Sequence, residues 1–347
     1  MRSFTLREKD RLILNLIVES YLKSGKPISS EFIAQRSPVA VSSATVRNIM
    51  VKLEKHEFLC QPHTSSGRVP TDKGLRLYVD SLLAETIVLD KQIDLLPEDF
   101  SLGRGDFNSL LNHVSSILAE YSDNLGFVLY PRISKINFHH VRFIKLSEDK
   151  VMTILVTMSN FVLTQIFQTD TYFTQVELDK ASQYINQSFA GKNFIFVRNF
   201  LLRELPKYKA KYEIMMNRLI SLLKSYFSQE EHGNQIFLQG TPKLLEKHDL
   251  FEMQSLESLF KNFEEKAKLA KLISDFISLD RVKVLIGSEL NMPDIPDCSL
   301  ILSHYGDHNQ VLGSLGIIGP KIIHYRKIIP LVDCVAKRLS QAISFNP

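Results

Sequence analysis

Two short stretches of the chain hold most of the side chains suited to directed hydrogen bonding with a polyanion. In VSSATVRNIMVKLEKHEF the candidates are Ser42, Ser43, Thr45, Arg47, Asn48 and Lys52. Helical spacing puts Val46, Met50 and Leu53 on one face with Ile49 beside them. Thr45, Asn48 and Lys52 fall on the other face, with Ser43, Ala44 and Arg47 near the N-terminal end. Arg47 carries the planar fork that matches guanine and Asn48 the amide that matches adenine, while either can also bind phosphate. Small hydroxyl residues allow close approach to base edges, and the free N–H groups at a helix start favour phosphate. The second stretch, FLCQPHTSSGRVPTDKGLRLYVD, displays His63, Ser65, Ser66, Arg68, Lys73 and Arg76. Arg68 and Lys73 suit phosphate or the minor groove.

Rival chemistries are poorly served. Gly313, Gly316 and Gly319 recur every third residue, but a dinucleotide loop needs GxGxxG between strand and helix, and Ile317-Ile318 reads as strand. His304, Asp307 and His308 lie close together, yet Gly306 makes a loop there, and His139-His140 on a strand point to opposite faces. Cys60, Cys298 and Cys334 are far apart and odd in number, which argues against a disulfide framework or zinc ribbon and for reduced, mostly buried thiols. There is no nucleophile elbow, P-loop or HExxH, so no catalytic, cofactor-binding or metal-ligating residue is nominated and no cofactor is expected.

The elements that must position the polar residues can be read around them. Thr5, with Glu8 three residues on, has capping-box spacing for a helix over 6–22 that Gly25 and Pro27 end. Ser29 or Ser30 caps a short helix, Glu31–Arg36, which Ser37-Pro38 breaks. Ser42 or Ser43 caps the third helix. Phe58-Leu59 and Arg68-Val69 then read as two short strands around a turn at Thr64-Ser65-Ser66-Gly67. This order is that of a winged helix-turn-helix with the third helix as the reader.

Charge distribution points the same way. Residues 1–80 hold 13 Lys/Arg against 8 Asp/Glu, although the whole chain is only +4. All the basic excess lies in the first quarter, which favours a polyanionic partner for that part. Hydrophobic residues make up 44% and charged residues 23%, ordinary values for a globular protein of two or three domains. With no apolar run long enough to span a bilayer and no signal-peptide pattern, the expectation is a cytoplasmic protein without a membrane partner.

In VSSATVRNIMVKLE and the stretch QPHTSSGRVPTDKG the sequence closely resembles the HrcA family of bacterial heat-inducible transcription repressors. The likeness resumes in IFLQGTPKLLEKHDLF, VKVLIGSEL, DCSLILSHYG and GSLGIIGPKIIHYRKIIPLVDCVAKRLSQ. Between about 85 and 230 it is one of general pattern. The resemblance implies an N-terminal winged helix, a GAF-like α/β domain, and a dimerising domain inserted into it. It further implies a homodimer that binds an inverted-repeat operator (CIRCE) upstream of chaperone genes, assisted by a GroEL-type chaperonin and relieved by heat.

The expected architecture is therefore α+β and multidomain. A winged helix-turn-helix occupies 1–85 and a linker 86–105. A discontinuous GAF-like domain occupies 106–172 and 279–347, with a helix-rich dimerisation domain inserted over 173–278. Within it, a helix over Asp106–Tyr121 precedes a strand at Gly126–Tyr130. HHVRFIKLS and KVMTILVTMS read as a hairpin that NFVLTQIFQT extends. Asn199–Ser228 and Leu256–Ile277 read as amphipathic helices with a short strand, Gln235–Leu238, between them, and a last helix covers Tyr325–Ile343. Two other readings stay open: a ligand-responsive winged-helix regulator whose GAF-like domain binds a small metabolite, and an enzyme with an accessory DNA module.

Overall fold

A computed structural model describes residues 6–63, 66–86, 107–131, 135–158, 161–204, 217–226, 236–247, 282–290, 295–307 and 310–344. Its N-terminal part is built from α1 (Glu8–Ser24), α2 (Ser30–Arg36) and α3 (Ser43–Lys55). Ile13, Leu14, Ile17, Val18, Ile33, Val46 and Leu53 are fully buried where the three helices meet. Each such side chain contributes roughly 1.5–3 kcal/mol by leaving water. α1 ends at Gly25, left-handed at φ 64°, whose N–H donates to the Tyr21 carbonyl at 2.8 Å. Ser29 caps α2 and Ser42 caps α3, each hydroxyl accepting from a backbone N–H three residues on, at 3.2 Å.

The expected capping box at α1 does not form. The helix begins at Glu8 with Arg7 in the capping position and no side-chain cap, so Glu8 stands in the first turn rather than three residues into it. Glu8 and Asp10 there complement the helix dipole. Thr5 lies outside the described residues.

The hairpin strands also fall one residue beyond the expected positions. β1 (Leu59–Cys60) pairs antiparallel with β2 (Val69–Pro70). Phe58 is still tied to α3, its N–H donating to the Leu53 carbonyl at 3.0 Å past a left-handed Glu57. Arg68 pairs instead with Ile28 before α2, the two exchanging N–H···O bonds of 2.9 Å. α4 (Asp72–Thr86) follows directly. Of the expected linker, 87–105 lies outside the described residues.

The body holds two sheets. α5 (Phe107–Ser122) leads into β3 (Leu125–Leu129), the next-to-edge strand of a five-stranded antiparallel sheet. Its other strands are β7 (Ile236–Gln239), β8 (Val282–Ile286), β9 (Cys298–Asp307) and β10 (Gln310–Pro320), in the order β7-β3-β10-β9-β8. α5 and the C-terminal helix α10 (Tyr325–Ser344) pack against it. Gly313, Gly316 and Gly319 lie within β10, which is strand on both sides of Ile317-Ile318. At Gly316 a side chain would run into the Ile301–Leu302 backbone of β9.

The second sheet is a meander of β4 (Phe138–Lys145), β5 (Lys150–Thr157) and β6 (Val162–Gln168). α6 (Gln175–Phe189) seals the outer edge of β4 with side chains. Asn186 bonds both the N–H and the carbonyl of Val141 at 2.8 and 2.9 Å, Ser182 accepts from Phe143, and Gln175 serves Lys145 and Phe143. Such pairing removes an exposed ladder that would otherwise recruit other strands. α7 (Phe194–Glu204) and a helix α8 over 217–226 complete this block, Phe194 lying 5.3 Å from Phe138 and from Tyr226. A bulge between Phe138 and His140 leaves both His139 and His140 exposed, rather than on opposite faces.

These pairings group the strands by sheet. Residues 138–168, expected in one domain with 279–347, form a sheet of their own against α6. β7, expected inside the inserted block, joins β3 of the larger sheet, and α9 (Thr241–Glu246) follows it there. The cause is hydrogen-bond demand: β3 needs a partner on its outer edge, and only long-range pairing identifies β7 as that partner. Of the expected amphipathic stretch 199–228, Leu219 and Leu223 are core, and Leu256–Ile277 lies outside the described residues.

The thiols divide unequally. Cys298 and Cys334 are buried, but Cys60 is exposed on β1, because alternation along a two-residue strand turns it away from Leu59. Burial pushes the Cys298 thiol up to about 12. Partial burial and the Glu54 carboxylate raise Cys60, against the pull of Arg68. Alkylation of the native protein near neutral pH is expected to label Cys60 alone, and more slowly than a free cysteine. Mass spectrometry of tryptic peptides checks this, and native labelling of Cys298 would contradict the packing.

Candidate nucleic-acid interface

Capping by Ser42 fixes the direction of α3, and its buried residues Val46, Ile49, Met50 and Leu53 fix its rotation. The outward stripe is then Ala44, Arg47, Asn48, Val51 and Lys55, all exposed. Arg47 and Asn48 make no hydrogen bond or ion pair with the described residues, so their donors and acceptors face water. The hydroxyls of Ser42 and Thr45 bond each other at 2.9 Å, and Ser43 bonds Ser30 of α2 at 3.2 Å. These three order the front of the helix while keeping it narrow.

Three expected contact residues are committed elsewhere. Lys52 pairs with Asp10 of α1, which is buried at 6% exposure. Arg68 holds Glu54 of α3 at 2.9–3.0 Å with its side chain only 17% exposed. Arg76 turns toward the body, donating to Glu289 at 2.7 Å and to the Val284 carbonyl at 2.6 Å. Each cation found a carboxylate of its own fold, a partner that helical periodicity cannot reveal. Lys73 pairs with Glu57 at 3.4 Å, but both are largely exposed, so the pair is weak and its ammonium remains accessible.

The hairpin tip is held by Ser66. Its hydroxyl donates to the His63 carbonyl at 2.7 Å and accepts from the His63 N–H at 3.0 Å, leaving the His63 side chain exposed. Gln61, missed in the sequence reading, donates to the Ser66 carbonyl at 3.1 Å. Gly67 lies so close to the strand at Ile28 that a Cβ would come within 2.8 Å of the Ile28 nitrogen and nearer still to its carbonyl. Ser65 lies outside the described residues. Val51 and Lys55 were also missed, although continuing the helical period past Lys52 would have found them.

In the body, His304 shares a hydrogen bond of 2.9 Å with Ser314 of the neighbouring strand, and His308 lies outside the described residues. No helix among the described residues is long and apolar enough to cross a membrane.

The family model described as "HrcA protein C terminal domain" matches residues 108–329. The chain belongs to the HrcA family. The heat-inducible transcription repressor HrcA of Geobacter sulfurreducens is 34% identical to it, over 97% of this chain and 98% of the relative. That of Syntrophobacter fumaroxidans is 30% identical over 97% of each, and that of Xylella fastidiosa strain M12 33% identical over 98% and 96%. These matches run through α3 and the hairpin, which lie outside the stretch covered by the family model. A crystal structure titled only as a hypothetical protein at 2.2 Å resolution covers 99% of this chain and 100% of its own. Its TM-score of 0.66 at 22% identity shows a shared fold. Like its HrcA relatives, the chain is a heat-inducible transcription repressor and not an enzyme.

Two substitutions separate support from contact in this HrcA chain. Lys52→Met leaves the buried Asp10 carboxylate uncompensated and is expected to cost about 1–2 kcal/mol, discounted because Lys52 is partly exposed. Gly67→Ala must displace backbone at Ile28 and is expected to cost about 1–3 kcal/mol. Urea titration of each variant gives the values. Wild-type stability for Lys52→Met would return Lys52 to the contact surface.

Proposed function

We propose that α1–α4 with the β1–β2 hairpin form a winged helix-turn-helix, and that α3 enters the major groove of an inverted-repeat operator. The exposed, unpaired Arg47 and Asn48 on a capped helix carry this reading. Arg47 suits guanine O6 and N7, Asn48 suits adenine, and Val51 beside them suits a thymine methyl. The helix front at Ser42, Ser43 and Thr45 takes phosphate, and Lys55, Lys73 and the His63–Ser66 tip take the flanking backbone. The operator stands before chaperone genes, repression is relieved by heat, and a GroEL-type chaperonin assists the repressor, as the family resemblance implies. The setting is the cytoplasm.

The chain acts as a homodimer, because two heads related by a dyad read an inverted repeat that a single head reads only by half. The five-stranded sheet with α5 and α10 is the GAF-like domain, and the β4–β6 block is the inserted dimerisation domain. Nine of the eleven exposed large apolar side chains among the described residues lie between Leu146 and Leu202. Surface of that kind favours a protein partner.

One observation favours a ligand-responsive variant of this reading. A cleft of about 360 Å³ lies where α1 and α4 meet the start of α10, lined by Glu19, Tyr78, His324 and Arg326 among others. Reproducible thermal stabilisation by one metabolite would support it.

Footprinting on chaperone promoters is expected to protect an inverted repeat, and protection confined to unrelated promoters would remove the heat-shock assignment. In a gel shift at fixed moderate salt, Arg47→Ala is expected to weaken operator binding by more than about 1 kcal/mol, the worth of a specific base contact. Equal affinity for mutant and wild type would mean that α3 is not the reader.

A further inference from the structure

α4 is the element through which the head meets the body. On one side it is joined to the reading helix and the wing. Pro70 ends β2, and the hydroxyl of Thr71 donates to the Glu57 carbonyl at 2.6 Å, just past the end of α3. On the other side three polar anchors tie the head to the body, two of them through α4 itself. Asp72 accepts from Lys321 at 3.1 Å, and Lys321 also reaches Asp297 at 3.5 Å. One turn on, Arg76 donates to Glu289 and to the Val284 carbonyl. The third anchor joins Arg326 of α10 to Glu19 of α1 at 3.1 Å, and Glu19 also accepts from the α4 residue Tyr78 at 3.2 Å.

The fit at the first anchor is close. Gly287 is left-handed at φ 54°, and the Asp72 carboxylate occupies the space that a Cβ would need, its Cγ lying 2.9 Å away. Burial works against the charges of Arg76 and Lys321, but their carboxylate partners more than offset it and raise both above their ordinary values. Both cations therefore stay charged at physiological pH.

A single contact would let the head swivel on the body. Anchors spread over α1, α4, the β8 end and the start of α10 restrain such swivelling more than any one of them could. We propose that this polar seam sets the distance and rotation between the two reading helices of the dimer, making Asp72, Arg76 and Lys321 positioning residues that select the operator's spacer length. The inference rests on the reading of the chain as a dimer on an inverted repeat. DNA turns once in about 10–10.5 base pairs, so about 5 extra pairs carry one half-site to the opposite side of the duplex. A head free to swivel tolerates that change, whereas a seated head loses the gain from binding both half-sites.

The test uses the full-length protein and fluorescence anisotropy with three duplexes: one half-site, the footprinted inverted repeat, and the repeat with about 5 base pairs added to its spacer. Wild type is expected to prefer the natural repeat over the expanded one by at least about tenfold. Lys321→Met and Arg76→Met are expected to keep half-site affinity within about twofold, which also reports a folded head, and to reduce the spacer preference to about threefold or less. Lys321→Arg, which keeps the charge, restores it. If Lys321→Met binds nothing, Lys321→Gln takes its place in the series. Variants with the wild-type spacer preference would overturn the proposal, as would a loss of half-site binding by Arg76→Met with Lys321→Met unchanged, since Arg76 would then be a DNA contact. A wild type indifferent to the spacer would instead remove the inverted-repeat reading.

Discussion

A cation that has found a carboxylate of its own fold is no longer free for an outside anion, and the N-terminal module is organised by that constraint. Lys52 goes to Asp10, Arg68 to Glu54 and Arg76 to Glu289. Each pair joins elements distant in sequence: α3 to α1, the hairpin to α3, and α4 to the body. Taken together they convert a set of short elements into a unit with one geometry. They also leave Arg47 and Asn48 outward and unpaired, so the basic excess of the first quarter overstates the charge presented to a partner. Partly buried pairs of this kind add modest net stability, but losing one partner strands the other charge, which makes them better at specifying an arrangement than at strengthening it.

The body follows the same accounting for its backbone. β3 is paired on both sides, by β7 and β10, and every residue along it is buried. The smaller sheet would expose β4 as an edge, but Asn186, Ser182 and Gln175 of α6 occupy its donors and acceptors. β6, at the other edge, carries exposed Val162 and Ile166. Among the described residues the exposed large apolar side chains are therefore concentrated on one block, while the head presents a mostly polar stripe and the seam between head and body is charged. Apolar, polar and charged surface are thus largely assigned to different parts of the fold.

Most of the elements were legible in the sequence because their causes are local. Ser29 and Ser42 cap helices through hydroxyls within three residues, Gly25 ends α1 because it accepts a left-handed conformation, and the buried stripe Val46, Ile49, Met50, Leu53 follows from helical period alone. The same period, carried further, contains Val51 and Lys55. The motif QPHTSSGRVPTDKG sufficed for the family, since a long specific run needs no geometry. Less legible were the hairpin register, offset by one residue, and the start of α1, where a capping-box spacing is satisfied by chance.

What the sequence by itself determined is the order of elements, the outward polar face of the third helix and the family. Tertiary structure decided which cations remain free, that 138–168 forms its own sheet, that β7 belongs with β3, and that Arg76 faces the body across more than two hundred residues of chain. The physical reason is range. Capping, periodicity and turn preference act within a few residues, whereas ion pairing and sheet completion are settled by whichever group lies nearest in space, and that neighbour exists only once the chain has folded.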